Sequence, residues 1–351
     1  MPQSSYEIME AAVHFKSPER LPVQMAALGV ADNAFLWQAM GKSGRGGGAF
    51  KPVAPGADAW GCVWGQTEMR NMGQVVGHHL ENGIPNDLEA CPHPDYRQDI
   101  YFEGIDDALS AAEREGKYIQ AGLFMALFER VHSMMGFENA MVGIVDPEAQ
   151  PDVKRLMEFI LQKHLTYIDQ LDRRFPGRIH AVCMSDDFGT QNAAYVSAGF
   201  WMDLFFPYYK RLFDRIRAAG CDVWVHSCGK VNEIVECYIK AGAHVVNLQQ
   251  PRALGIEEMG RRYRGRIAFE SLCDIQATLP SGDKAQVARD VEDLMNHWAT
   301  PEGGFIVSDY GDGEAIGVPI EMKLAMYNEF SKWSERIYGK PLPTLSCPKS
   351  N

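Results

Sequence analysis

The sequence lacks the features that would place the protein in a membrane or on nucleic acid. No uninterrupted apolar run approaches the roughly 18 residues that a membrane-spanning helix needs. The residues after Met1 show neither the basic nor the apolar stretch of a secretion signal. Positive charge is also scarce, because 34 Lys and Arg stand against 46 Asp and Glu and give a formal net charge of -12. These absences predict a cytoplasmic protein that binds neither membranes nor nucleic acid.

The cysteines do not have the dense spacing of a disulfide framework. All 8 are scattered along 351 residues, which predicts reduced thiols. A glycine-rich segment at 42–48 lacks the Gly-Lys-Ser/Thr ending of a phosphate-binding loop, so a flexible loop is the better interpretation. Apolar sequence is abundant by contrast, at 46% of the residues, and it is enough for a large core.

From about residue 106 the chain alternates strand-like and helix-like segments. At least five such units in a row predict a parallel sheet with right-handed crossovers. Eight strands in a closed barrel suit a chain of 351 residues, once strands from the N-terminal part are added. We therefore predict an α/β fold, a (β/α)8 TIM barrel. It would be a single domain covering 1–351, with 1–105 as a strand- and loop-rich N-terminal part.

The segment 223–230 is the pattern around which the chain is organised. An apolar, strand-like run ends there in His226-Ser227-Cys228-Gly229. Alternate side chains of a strand share a face, so His226 and Cys228 should point to the same side at the end where α/β folds gather functional groups. An imidazole and a thiolate aimed at one point suit Zn²⁺. The alternative is a buried cysteine beside a hydrogen-bonded histidine.

The C-terminal ends of the last five predicted strands carry polar side chains that can bind a metal. A third thiolate from Cys273 would leave one position open, as in catalytic zinc sites. An oxygen of Asp187 or Glu270 could serve instead, either carboxylate could hydrogen-bond His226, and Cys273 could be a structural buried cysteine. Asp186 and Asp187 alternate faces, so only one of them can point into the rim. The set that meets at this rim is Asp186, Asp187, His226, Cys228, Asn247, Gln249, Glu270, Cys273, Asp309 and Tyr310.

Aromatic side chains are plentiful near the same end of the predicted barrel. They offer a surface on which a flat substrate could stack, although most aromatic residues of a barrel belong to its core. The residues predicted to contact the substrate are Trp60, Phe124, Phe128, Gln191, Asn247, Gln249 and Asp309.

The order of several sequence blocks resembles that of the uroporphyrinogen decarboxylase superfamily. The blocks lie at 17–23, 60–64, 72–75, 186–191, 226–229, 247–251 and 303–305. The decarboxylase branch has an Arg-Gln-Ala-Gly-Arg segment, which this sequence lacks. The corrinoid-dependent methyltransferase branch has His-x-Cys as zinc ligands, and this sequence keeps them at His226 and Cys228. The cysteine that thiol-methylating members have on the last strand is replaced here by Asp309 and Tyr310.

This resemblance implies a zinc-dependent methyltransferase similar to the O-demethylating enzymes of anaerobes. Such an enzyme moves a methyl group between a small molecule, here a methoxylated aromatic compound, and the cobalt of a corrinoid. The corrinoid would be carried by a partner protein, because its binding motif, Asp-x-His-x-x-Gly, is absent. Asp187, Glu270 or Tyr310 would orient the substrate or deliver a proton. The open alternatives are a methylcorrinoid-to-thiol methyltransferase, a metal-free decarboxylase and a non-catalytic binding protein, and the oligomeric state stays open.

Overall fold

The computed structural model describes residues 2–36, 56–65, 73–311 and 313–345. The glycine-rich segment at 42–48 and Met72 lie outside the described residues. The strands are β1 (Val23–Met25), β2 (Val30–Ala31), β3 (Asn33–Leu36), β4 (Val63–Gly65), β5 (Gln74–Gly77), β6 (Tyr118–Leu123), β7 (Ala181–Ser185), β8 (Asp222–His226), β9 (Val245–Leu248), β10 (Ala268–Ser271) and β11 (Phe305–Ser308). The helices are α1 (Ser5–Val13), α2 (Ile105–Arg114), α3 (Phe128–Met135), α4 (Phe137–Val145), α5 (Gln150–Arg174), α6 (Ala198–Leu204), α7 (Phe206–Ala218), α8 (Asn232–Ala241), α9 (Pro251–Leu254), α10 (Ile256–Tyr263), α11 (Lys284–His297) and α12 (Ile320–Tyr338).

Eight parallel strands form a nearly closed barrel, in the order β1-β11-β10-β9-β8-β7-β6-β3. The antiparallel β2 extends the sheet beyond β1. Asp32 joins the two edges, since its amide donates to the carbonyl of Val23 at 2.7 Å and its carbonyl accepts from the amide of Tyr118 at 2.9 Å. The predicted (β/α)8 barrel is confirmed.

Most helical crossovers follow the sequence pattern, but the pattern does not predict α4 or α9. The apolar and aromatic spacing of 201–219 predicts a single helix, but the structure has α6 and α7, which meet at Phe205. Pro207 lies in the first turn of α7, where its missing amide proton costs no hydrogen bond, whereas inside a continuous helix it would remove one. In the described part of the chain, no helix is both long and apolar enough to span a membrane.

Helix α1 covers the N-terminal end of the barrel. Its residues Met9 and Val13 are buried against the inward-facing side chains of Tyr118, Trp224 and Ile306. Its N-terminus is fixed by a capping box between Ser4 and Glu7. Because α1 fills this end, a ligand would enter from the C-terminal end of the strands.

The contact between α1 and β8 predicts a pH-dependent stability. His14 Nε2 lies 3.1 Å from Asp222 Oδ2, and this hydrogen bond raises the pKa of His14 above its usual 6.5 although burial opposes the shift. A raised histidine pKa stabilises the fold fully below about pH 6.5 and loses that stabilisation as the pH rises through the folded-state pKa. We expect His14→Gln to lower the melting temperature more at pH 6 than at pH 9, as measured by thermal unfolding.

The exposed His79 provides the control for this prediction. The variant His79→Gln should melt like the wild type at both pH values. If the difference between the wild type and His14→Gln were the same at pH 6 and at pH 9, the charge of His14 would have no part in holding α1.

Candidate metal centre

Three side chains converge at the C-terminal end of the barrel. One ligand atom each of Asp187, His226 and Cys228 lies within 4.8 Å of the others. Cys228 Sγ is 3.3 Å from His226 Nε2, and Nε2 is 3.6 Å from Asp187 Oδ1. Tetrahedral zinc, with bonds of about 2.0–2.3 Å, separates its ligand atoms by roughly 3.4–3.6 Å. The spacing and the chemistry of the three donors therefore fit a zinc ion.

His226 is held so that its ring nitrogen Nε2 faces Asp187 and Cys228. It is the last residue of β8 and pairs in register with Asn247 on β9. Its Nδ1 donates to Asn247 Oδ1 at 2.6 Å. Because an amide oxygen only accepts, Nδ1 carries the proton and Nε2 keeps its lone pair for a metal.

Cys228 lies in a turn that packs directly on the loop after β7. Its backbone amide donates to Asp187 Oδ1 at 2.7 Å, and the next amide, of Gly229, donates to Gln250 Oε1 at 2.9 Å. Gly229 has φ +77°, and a Cβ there would come within 2.4 Å of the backbone of Gly189. A side chain at position 229 would therefore separate Asp187 from Cys228.

The charges at the site favour a cation. Burial, then the neighbouring Asp187, raise the pKa of the Cys228 thiol above its usual range. The thiol is therefore neutral in the metal-free protein at neutral pH. A divalent cation beside both groups would reverse this preference, because it stabilises a thiolate next to a carboxylate.

Cys273, predicted as the third ligand, does not lie with the other two. It is fully buried, its Sγ is 3.7 Å from the carbonyl oxygen of Val287 on α11, and its amide donates to the sulfur of Met326 on α12. The reason is the alternation along β10. Glu270 points into the barrel, so Cys273, three residues later, points outward to the helices. Asp187, one of the alternatives that the sequence left open, lies with His226 and Cys228 instead.

This arrangement predicts the sulfur content of the metal shell. X-ray absorption at the zinc edge should show one sulfur at about 2.3 Å and the remaining ligands at about 2.0–2.2 Å. Cys273→Ser should give the same spectrum and the same zinc content as the wild type. Two sulfurs in the wild type, falling to one in Cys273→Ser, would contradict the assignment of Asp187.

Glu270 lies behind the site rather than in it. Its Oε2 accepts from Trp224 Nε1 at 2.5 Å, and its carboxyl group also hydrogen-bonds the side chain of Asn247, which holds His226. Burial raises the pKa of Glu270. Glu270, a catalytic candidate from the sequence, therefore contacts Asn247, the residue that holds the predicted ligand His226.

The end of β11 is occupied by an internal ion pair. The oxygens of Asp309 lie 2.8 and 2.9 Å from Lys323 Nζ of α12, and both side chains are buried. Lys323 also donates to the backbone carbonyl of Tyr310 at 2.7 Å, and the Tyr310 side chain is half-buried against the core. Asp309, expected to contact substrate, is therefore engaged within the protein.

The remaining predicted substrate contacts fall into two groups. Trp60 and Phe128 are buried in the core, where Arg130 lies over the indole at 5.1 Å and Phe188 stacks on Phe128 at 4.6 Å. Phe124 and Gln249 are half-buried, and Gln191 is exposed in the loop after β7. These three have surface that a substrate can reach, and their role stays a prediction.

Two further carboxyl groups lie near the metal centre: Asp186, which the sequence placed at the rim without a role, and Glu129, which the sequence did not single out. Asp186 accepts from the amides of Leu127, Phe128 and Glu129 and from the hydroxyl of Tyr209. Glu129 is only 9% exposed, and burial, followed by the charge of Asp187, raises its pKa well above the usual range. No local pattern signals either role, because α3 meets β7 only in the folded barrel.

Comparisons with known proteins now place the chain in a family. Residues 72–333 match the family described as uroporphyrinogen decarboxylase (URO-D). The chain belongs to the uroporphyrinogen decarboxylase family. The resemblance found in the order of the sequence blocks is confirmed at this level. No curated protein matches the sequence.

Among solved structures, a methyltransferase from Methanosarcina mazei is similar in fold to this family member. It is 13% identical, with a TM-score of 0.64, and the match covers 94% of this chain and 99% of that chain. Xylanase 10B from Thermotoga maritima is 12% identical with a TM-score of 0.42, and the match covers 70% of this chain and 83% of that one. At 13% identity, the likeness to the methyltransferase shows a shared fold alone.

Proposed function

We propose that the protein is a zinc-dependent methyltransferase. It would move a methyl group between a small methoxylated aromatic compound and the cobalt of a corrinoid carried by a partner protein. The observation that carries this proposal is the set of Asp187, His226 and Cys228, whose spacing fits zinc with one position open. The family match and the fold similarity to a methyltransferase support it.

The residues of the chain would act as a rigid holder for the reacting atoms. Asp187, His226 and Cys228 would bind the ion, while Asn247 fixes the imidazole and Glu270 fixes Asn247. When bound, zinc supplies positive charge to the substrate oxygen from which the methyl group departs. When the methyl group passes from the aromatic compound to the corrinoid, the C–O bond of the donor would break and its electron pair would stay on the oxygen. The cobalt(I) of the partner's corrinoid would supply both electrons of the new Co–C bond and would become cobalt(III).

Substrate recognition would take place on the barrel rim. Phe124, half-buried with its ring 5.9 Å from that of Trp64, offers an aromatic surface, and Gln191 and Gln249 offer amide groups. Tyr310 follows β11 at the same end of the barrel and would orient the bound compound. Asp309 would act only indirectly, through its ion pair with Lys323.

Decarboxylation is the second candidate, because the family that the chain belongs to takes its name from it. The convergence of a thiol, an imidazole and a carboxylate favours methyl transfer, since metal-free decarboxylation would give these three groups no common role. Elemental analysis of the purified protein separates the two candidates first, since only methyl transfer requires about one zinc per chain.

The direct test combines the zinc-loaded protein, a corrinoid protein reduced to cobalt(I), and a panel of methyl donors. The panel contains methoxybenzoates, methylamines and methyl thioethers, and the change in absorbance on methylation of cobalt is followed for each. We expect methylation with methoxybenzoates. Methylation by amines or thioethers alone would contradict the substrate class, and carbon dioxide release from uroporphyrinogen without methyl transfer would contradict the whole proposal.

A further inference from the structure

The first turn of α3 holds Glu129 rigidly beside the metal centre. The backbone amides of Leu127, Phe128 and Glu129 donate to the carboxylate of Asp186 at 2.8, 3.1 and 2.7 Å. Asp186 directly precedes Asp187, so the helix start and the ligand loop are joined by three hydrogen bonds. The position of the Glu129 backbone is therefore fixed relative to Asp187.

The carboxyl group of Glu129 is buried and incompletely satisfied. Its residue is 9% exposed, and among the described residues Oε2 has no hydrogen-bond partner. The three hydrogen bonds from the start of α3 to Asp186 place this carboxyl group beside Asp187 of the metal centre, and the charges of Asp187 and His226 act on it. Buried polar atoms nearly always have a hydrogen-bond partner in native proteins. An unpaired carboxyl oxygen beside a site therefore indicates that a ligand bound in the site would be its partner.

The spacing argues that this group is not the ion itself. The three ligand atoms of Asp187, His226 and Cys228 lie within 4.8 Å of one another, and Glu129 does not belong to that set. A group at the open position would lie about 2 Å from zinc, and a hydrogen bond from it would reach about 3 Å further. A carboxyl group that borders the ligand set without joining it is suited to this contact.

We propose that Glu129 is a further catalytic residue whose carboxyl group hydrogen-bonds the group at the open position of the metal centre. That group would be water in the resting protein and the substrate oxygen during turnover. The inference rests on the proposed function, since it assumes a metal held by Asp187, His226 and Cys228. It assigns to α3 a contact that the pattern of the sequence does not reveal.

The crystal structure of the zinc-loaded full chain tests the contact without relying on activity. We expect a Glu129 oxygen within about 3.2 Å of the atom that fills the open position. A carboxyl group more than about 4 Å from that atom, or bound directly to zinc, would overturn this inference and leave the proposed function standing. Zinc absent from Asp187, His226 and Cys228 would overturn both.

Variants test the consequence for turnover. Glu129→Gln keeps the size of the side chain, and it should retain full zinc content by mass spectrometry and an unchanged melting temperature. Its kcat should fall about 100-fold while KM stays within about threefold, because an amide is a weaker hydrogen-bond donor than a carboxyl group, and one donor to a developing oxyanion is typically worth about 10²- to 10³-fold in kcat. Glu138→Gln, an exposed glutamate on α4, is the control and should behave as wild type.

Two results with Glu129→Gln would overturn the inference. A kcat of Glu129→Gln within about twofold of the wild type would overturn the inference. A loss of zinc in this variant would also overturn it, because Glu129 would then be a ligand of the ion. Neither result alone would contradict methyl transfer by the wild type.

Discussion

Replacing Cys228 with serine is expected to remove zinc and methyl transfer together. Cys228 provides the only sulfur in the set of three ligand atoms that the structure describes, and a serine hydroxyl is a much weaker zinc ligand. Loss of a residue that merely supports a ligand typically costs about 10- to 100-fold in affinity or activity. We therefore expect more than about 100-fold weaker zinc binding for Cys228→Ser, measured by competition with a chelator, and methyl transfer below detection.

The control for this prediction is Cys237→Ser. Cys237 is a buried free cysteine on α8, with its Sγ 3.7 and 3.8 Å from the carbonyl oxygens of Ala198 and Glu233. Its variant should keep the zinc affinity and the activity of the wild type. If Cys228→Ser bound zinc as tightly as Cys237→Ser, the metal centre would be assigned to the wrong residues.

Substitutions of Asp186 and Asp187 are expected to have different effects: loss of Asp186 should mainly lower stability, and loss of Asp187 should mainly weaken zinc binding. Asp186 is fully buried and accepts three backbone amides, so Asp186→Ala leaves buried donors without partners. Each such donor costs about 1–3 kcal/mol, and we expect the free energy of unfolding to fall by about 3 kcal/mol or more. Asp187, with 36% of its side chain exposed, accepts from only one backbone amide among the contacts described above, that of Cys228, and Asp187→Ala should lower the free energy of unfolding by no more than about 1.5 kcal/mol.

Metal binding should show the reverse order. Asp187→Ala should weaken zinc binding by at least about 10-fold, since it removes a ligand rather than a supporting group. Denaturant unfolding of the metal-free proteins measures the effect on stability separately from the effect on zinc binding. It is done at pH 8, because burial raises the pKa of Asp186 to about 6 and the carboxyl group is ionised above that value. Equal destabilisation by both substitutions would show that Asp187 is structural as well.

The chain order of helices and strands was readable in the sequence because it depends on local pattern. The apolar spacing predicts helices over 256–263 and 320–338, and α10 (Ile256–Tyr263) and α12 (Ile320–Tyr338) have these bounds. The strand ending at His226 also follows from an apolar run, and Cys228 lies beside His226 although it belongs to the turn after the strand. The break between α6 and α7 at Phe205 was missed, although Pro207 marks it.

The site itself depends on contacts between segments far apart in the chain. Cys273 was chosen because cysteine suits zinc, but the side of the sheet that it faces is set by the inward position of Glu270. Trp60 and Phe128 were candidates by residue type, and only packing shows that both belong to the core.

By itself, the sequence determined the barrel, the strand end that carries His226 and Cys228, and the family, since these depend on periodicity and on the order of motifs. Only the tertiary structure decided that Asp187 joins the pair and that Asp186 caps α3 with Glu129 beside them. The physical reason is that ligand spacing and burial arise where separate strands and helices meet, and no spacing along the chain encodes those distances.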